Sequence, residues 1–340
     1  GSFGGSWCAA PRLLPNFRVV LYLGMVRLLV GLLGACASLH ARPARAVRLR
    51  RDGGNRTVTF LRIQKTGGST WGEVIMPKIC AEAGDIYRPR ICAGAVDSCD
   101  NGFHWDYEMA MNANATSPGP VVTWLRDPVE RTLSEFFFIR SSPEGGIAAR
   151  QDQWDYQNAT FVRLVRDEPD DDKALDIYLH AWPQHPGFNR QVLYLAGFKG
   201  SGHAVRFRWR GGEQQQKEFL SAAKQHLADI QAFGFTECYV TSAAAMARVL
   251  GWDEASVKEM ATNTHRRSLP RPTAAAGLRR HRGNAQDCST GINRFCGVWR
   301  SFVDERTVEE IERLNWADME LHRFARRQFQ ERFGQACEDS

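Results

Sequence analysis

No two cysteines in this 340-residue chain are spaced Cys-x-x-Cys, although nine are present. A zinc ribbon needs that spacing, so none is expected. A GxxxxGK[ST] run is also missing, which excludes a nucleoside-triphosphate P-loop and argues against a nucleotide kinase. Charge of one sign is barely in excess, with 44 Lys+Arg against 38 Asp+Glu and a formal net charge of +6. That balance excludes a histone-like nucleic-acid binder and leaves room for an anionic ligand in a local basic cleft. No hydrophobic run is both long and clean. The best, from Val19 to Ala41, is broken by Arg27, a costly residue in mid-membrane. What is present is 43% hydrophobic, 11% aromatic and 24% charged, the composition of a folded chain able to bury a large core.

Near the N-terminus, Met25-Val26-Arg27 supplies a basic head, Leu28 to Leu33 an apolar stretch and Ala35-Cys36-Ala37 a small-x-small cleavage pattern. This is the layout of a secretory signal. Residues 1–41 are therefore expected to be a signal peptide or signal-anchor, residues 42–56 a short basic stem and residues 57–335 the folded domain. Glycosylation sequons at Asn55, Asn114 and Asn158 agree with that route. So do the seven cysteines beyond Cys36, for which oxidised pairs are expected. Cys288 and Cys296 are suited to close a short loop, and Cys80, Cys92 and Cys99 to supply another bridge. Connectivity stays open.

The spacing of apolar residues predicts strands over 58–63, 121–125 and 231–236. A short helix is expected from Thr70 to Ile79. A second begins at Asp127-Pro-Val-Glu130, with Asp127 as N-cap, Pro128 in the first position and Glu130 where a capping box wants a carboxylate. It runs to about Arg140. Residues 167–172 read as a solvated acidic turn and residues 252–283 as an Arg-rich loop. Asp304 to Phe333 reads as a final helix stopped by Gly334.

Two motifs carry chemistry. Strand, Gln64-Lys65-Thr66-Gly67-Gly68-Ser69-Thr70, then helix is an anion cradle. The glycines allow a tight turn that aims backbone N–H groups at the ligand, Ser69 and Thr70 add hydroxyls, and Lys65 adds a full charge. In the second motif, Leu125-Arg126-Asp127-Pro-Val-Glu-Arg131, Arg126 leaves the end of a strand, where ligands of open α/β sheets gather. Ser134 lies two turns into the helix and shares an anion with Arg126 if the helix start folds back.

Ile63-Gln-Lys-Thr-Gly-Gly-Ser-Thr70 and Val122-Thr-Trp-Leu-Arg-Asp-Pro-Val129, with Leu133-Ser-Glu135, closely resemble the nucleotide-binding motifs of Golgi carbohydrate sulfotransferases. The match is nearest to the heparan sulfate 6-O-sulfotransferases. It extends through Gly102-Phe-His-Trp-Asp106, Asn189-Arg-Gln-Val192, Phe233-Gly-Phe-Thr-Glu237 and Ile311-Glu-Arg-Leu-Asn315 with Asp318. The resemblance implies an α/β sulfotransferase (P-loop-like) fold, with a central parallel sheet flanked by helices. It implies sulfuryl transfer from 3′-phosphoadenosine 5′-phosphosulfate (PAPS) to a sugar hydroxyl, without a metal.

By the same resemblance, Lys65, Thr66, Gly67, Gly68, Ser69 and Thr70 bind the 5′-phosphosulfate, and Arg126 and Ser134 bind the 3′-phosphate. His104 is the catalytic base, and Lys65 neutralises charge on the leaving phosphate. Trp105 and Tyr107 depart from the family's residues beside Asp106 and are candidates to line the acceptor site. The expected partner is an anionic or neutral polysaccharide, not nucleic acid. The expected place is the Golgi lumen or membrane, in single-pass type II orientation. A tyrosylprotein sulfotransferase and a non-catalytic glycan-binding relative are the alternatives.

Overall fold

The computed structural model describes residues 56–68, 70–88, 106–108, 110–111, 119–141, 159–181, 187–197, 212–268, 300 and 303–337. The signal, the stem up to residue 55, the asparagines of the three sequons, Cys92, Cys99, Cys288 and Cys296 lie outside the described residues.

Four short strands, β1 (Thr57–Leu61), β2 (Ile86–Arg88), β3 (Val121–Leu125) and β4 (Ala232–Phe235), form one sheet. Their order is β2-β1-β3-β4, and every pairing is parallel. β1, β3 and β4 are buried on both faces and read as continuous apolar or β-branched runs, as the inner strands of a parallel sheet do; Ile86 of the edge strand β2 is exposed. Chain order passes from β1 to β2 on one side and then to β3 on the other. The crevice between the carboxyl ends of β1 and β3 is therefore the topological switch point.

Side-chain alternation decides what covers each face. Val58, Phe60, Val122 and Trp124 point to one side, against helices α1 (Met76–Ala83), α7 (Tyr239–Leu250) and α8 (Glu254–Ser268). Trp124 lies 5.1 Å from Trp71 and 4.5 Å from Tyr239, centroid to centroid, contacts worth about 1 kcal/mol each beyond burial. Leu61, Val121, Leu125, Phe233 and Phe235 point to the other side, against α5 (Arg190–Ala196), α6 (Gly212–Asp229) and α10 (Trp316–Phe333). A third apolar cluster joins α2 (Pro128–Ser141), α3 (Ala159–Asp167), α4 (Asp171–His180) and α9 (Glu305–Leu314).

Several expectations are corrected. The segment after the anion cradle starts as a wide π-type turn, Thr70–Ile75, before α1 continues to Ala83. The start of the Arg-rich loop is helical instead: Asp253 accepts the Ser256 amide at 2.7 Å, and Val257 and Ala261 bury an apolar stripe. The single C-terminal helix is two. Asn315 turns its side chain to the Ile311 carbonyl (2.9 Å) and to the Asn189 amide (3.0 Å), separating α9 from α10. The acidic turn is solvent-exposed as expected, and it also starts a helix: the Asp170 carboxylate caps α4 through the amides of Asp172 and Lys173, both at 3.0 Å. Cys80 is buried as a free thiol and bridges nothing. The disulfide among the described residues joins Cys238 to Cys337 across 99 positions.

Candidate anion-binding site

β1 delivers Lys65 to the switch point in an unusual backbone state. Its φ is +63°, in the left-handed region that costs a side-chain-bearing residue about 1 kcal/mol. Such strain concentrates at functional sites. Gly67 follows at φ +79°, where glycine has no penalty. Thr66 is fully buried and spends its hydroxyl on the Ile63 carbonyl at 3.0 Å. It therefore shapes the loop, leaving only its amide for a ligand. A Cβ on Gly68 would stand 2.8 Å from Arg62 Cγ, so the loop and the Arg62 side chain touch. Thr70 opens the turn into α1, and Ser69 lies outside the described residues.

The Lys65 ammonium forms no ion pair with a described residue and lies 4.0 Å from the centre of the Phe138 ring. Burial pushes it down to about 7. Glu135 favours the cation, whereas the charges of Arg126, Arg131 and Arg190 oppose it. Those two deeper arginines share Glu135, at 2.6 Å from Arg131 and 3.0 Å from Arg190.

β3 delivers Arg126, whose guanidinium is buried, donates to the Lys65 carbonyl at 3.3 Å and pairs with Glu130 at 3.3 Å. The two predicted anion-binding residues are thus brought together from adjacent strand ends. Asp127 caps α2 as expected, accepting the Glu130 amide at 3.0 Å. The reciprocal half of the capping box is not made by Glu130, which Arg126 and the Arg300 amide (2.9 Å) claim. Glu237 takes that place and accepts the Asp127 amide. Ser134 is partly buried one helical turn beyond Glu130, and so on the same face of α2.

Sequence reasoning missed the residues behind this corner. Gln191 reads the Arg126 backbone twice, accepting its amide at 2.9 Å and donating to its carbonyl at 2.8 Å. Asp318 holds α5 in place through the amides of Gln191 (3.1 Å) and Val192 (2.8 Å). Glu237 is bound by His322 at 3.0 Å. Gln191, Glu237 and Asp318 lie in segments that carry the family resemblance, and that placement was their only signal; His322 lies outside those segments. His104 lies outside the described residues, two positions before the buried Asp106.

Two cations at adjacent strand ends, with turn amides between them, suit a ligand bearing two separated anionic groups. Among the described residues no cluster of His, Cys, Asp and Glu is arranged to hold a metal ion. The sequence model of the sulfotransferase family matches residues 52–325, a span that holds every residue of this site. A search of curated proteins finds no match to the chain.

Proposed function

The chain belongs to the sulfotransferase family, and from that premise we propose that it sulfates a glycan hydroxyl, namely the glucosamine 6-hydroxyl of a heparan-sulfate-like polysaccharide. The observation that carries the reading is the pairing of Lys65 with Arg126 across the switch point. PAPS, the donor that the family uses, supplies a sulfuryl group whose bond to the 5′-phosphate breaks on transfer. Its two phosphate ends match the two cations of the site.

In this reading Lys65, the amides from Thr66 to Thr70 and the Ser69 and Thr70 hydroxyls hold the 5′ end. Lys65 then offsets the charge that grows on the departing phosphate oxygen. Arg126 and Ser134 hold the 3′-phosphate. His104 takes the proton of the acceptor hydroxyl as its oxygen attacks sulfur, a task suited to neutral imidazole. Positioning and electrostatics supply most of the acceleration, as in loose phosphoryl transfer. The Cys238–Cys337 disulfide supports a secretory setting, in line with Golgi residence behind a signal-anchor.

Transfer of labelled sulfate from PAPS to a panel of heparan-type glycans, other polysaccharides and tyrosine peptides tests the proposal. Label on glucosamine O6 is the expected result. Label on tyrosine peptides alone would overturn the glycan assignment, and a bound donor with no transfer to any acceptor would make the protein a glycan binder. His104→Ala should lower turnover by at least ~100-fold while donor binding persists. Near-normal turnover would remove His104 as the base.

A further inference from the structure

The backbone of the Arg126–Asp127 corner is gripped from behind. Its three polar backbone groups next to the site are each taken by a side chain: the Arg126 amide and carbonyl by Gln191, and the Asp127 amide by Glu237. Both gripping residues are in turn held by α10. Asp318 fixes the start of α5, which carries Gln191, and His322 binds Glu237. Asp318 and His322 are four apart, so they face the corner from one side of the helix.

Glu237 is otherwise badly placed for a phosphate site. Its charge acts directly on Arg126, and its side chain is only 14% exposed. A buried carboxylate beside an arginine meant for a phosphate weakens that arginine's pull. Burial on its own would raise the Glu237 carboxyl; the His322 hydrogen bond and charge, with Arg126, hold it below the usual range instead. Thr236 donates to its other oxygen at 3.2 Å while bonding the Leu125 carbonyl through its own amide at 3.1 Å. An electrostatic hindrance so thoroughly built in needs a geometric reason.

We propose that Glu237 and His322 are positioning residues for the 3′-phosphate site: Glu237 sets the direction of the Asp127 amide and so the pose of Arg126, and His322 fixes Glu237 from α10. This rests on the reading of Arg126 as a phosphate-binding residue. It makes the C-terminal helix part of the donor site, although it lies almost two hundred positions further along the chain.

The sign of two substitutions separates this role from a plain charge effect. Glu237→Gln keeps an oxygen for the Asp127 amide and removes the repelling charge, so adenosine 3′,5′-bisphosphate should bind as tightly as in the parent, or tighter, within about threefold. Glu237→Ala removes the same charge and also the acceptor, and should bind about tenfold more weakly. His322→Ala, which leaves the Asp127 contact in place but unties it from α10, should also weaken binding, by at least ~3-fold. In both alanine variants the donor KM should rise while kcat changes less than about threefold, because an interaction common to ground and transition states is lost.

Calorimetry with adenosine 3′,5′-bisphosphate and donor kinetics read these outcomes, with Arg126→Ala alongside. If Arg126→Ala weakens binding but Glu237→Ala behaves like Glu237→Gln, the positioning role is wrong and the phosphate site stands. If Arg126→Ala leaves affinity unchanged, the phosphate site itself is wrong and takes this proposal with it. Should Glu237→Ala fail to fold, His322→Ala decides: unaltered affinity and donor KM would overturn the proposal.

Discussion

Lys65 combines a left-handed backbone, a shielded ammonium and no acidic partner among the described residues. Its folded-state value of about 7 lies below the ordinary 10.5 because burial penalises the cation. Between those two values the unfolded chain holds a proton that the folded chain lacks, so stability contributed by this group rises with pH across that window. An anion in the cradle reverses the preference by restoring the charged form. Above about pH 7, binding adenosine 3′,5′-bisphosphate should therefore take up a proton, and affinity should fall by up to tenfold per pH unit. Calorimetry in buffers of different ionisation enthalpy measures the uptake. Lys65→Arg stays charged throughout, so its affinity should no longer fall over that range; an unchanged slope would assign the titration to another group. Lys65→Ala should lower turnover by at least ~100-fold.

Among elements, β4 and α7 approach each other closely at Gly234. A Cβ on Gly234 would sit 2.6 Å from Ser242 Cβ and 2.9 Å from Met246 Cε, while the Ser242 hydroxyl accepts the Phe235 amide at 2.9 Å. Gly234 pairs with Trp124, whose ring stacks on Tyr239 of the same helix. Gly234→Ala should destabilise by about 1–3 kcal/mol through overpacking. Denaturant unfolding measures the loss, and a change under ~0.5 kcal/mol would mean that α7 yields easily. Elements of this kind were legible unevenly. β1 with its anion loop, and β3 with Arg126 and the Asp127 cap, were readable because strand, turn and cap are local and sit within a dozen residues. The helical stretch Glu254–Ser268 was not, because its arginines and lack of a strong apolar run hid a stripe completed only by packing against α7. Glu130 was assigned to the wrong hydrogen bond for a related reason: Arg126 competes for it, and Glu237, 110 positions beyond Asp127, arrives through the sheet.

At the scale of the whole molecule, the parts that local reading missed are those that chain closure brings together. Gln191, Glu237, Asp318 and His322 gather behind Arg126 and Asp127 only once β4 has joined the sheet and α5 and α10 have packed on one of its faces. The Cys238–Cys337 disulfide spans that arrangement, beginning one residue after Glu237 and ending beyond α10. Other contacts hold the same helix. Arg332 donates to the carbonyls of Ile230 and Gln231 at 2.7 and 2.9 Å, and Phe329 packs against Phe233 and Phe235 at 6.1 and 5.5 Å. The native position of α10 is therefore over-determined, and the bridge should act mainly by restricting the unfolded chain. A loop of this length is worth about 4.7 kcal/mol on the chain-entropy estimate, at the upper end of a usual range of ~2–5. Cys337→Ser should lower the unfolding free energy by that amount, yet bind adenosine 3′,5′-bisphosphate within about threefold of the parent at temperatures where both are folded. Denaturant unfolding and calorimetry on the same preparations check the two halves. A much weaker affinity in a fully folded variant would show that the bridge also holds Glu237 in place in the native state. The packing of α10 alone would then be too little to steer Arg126.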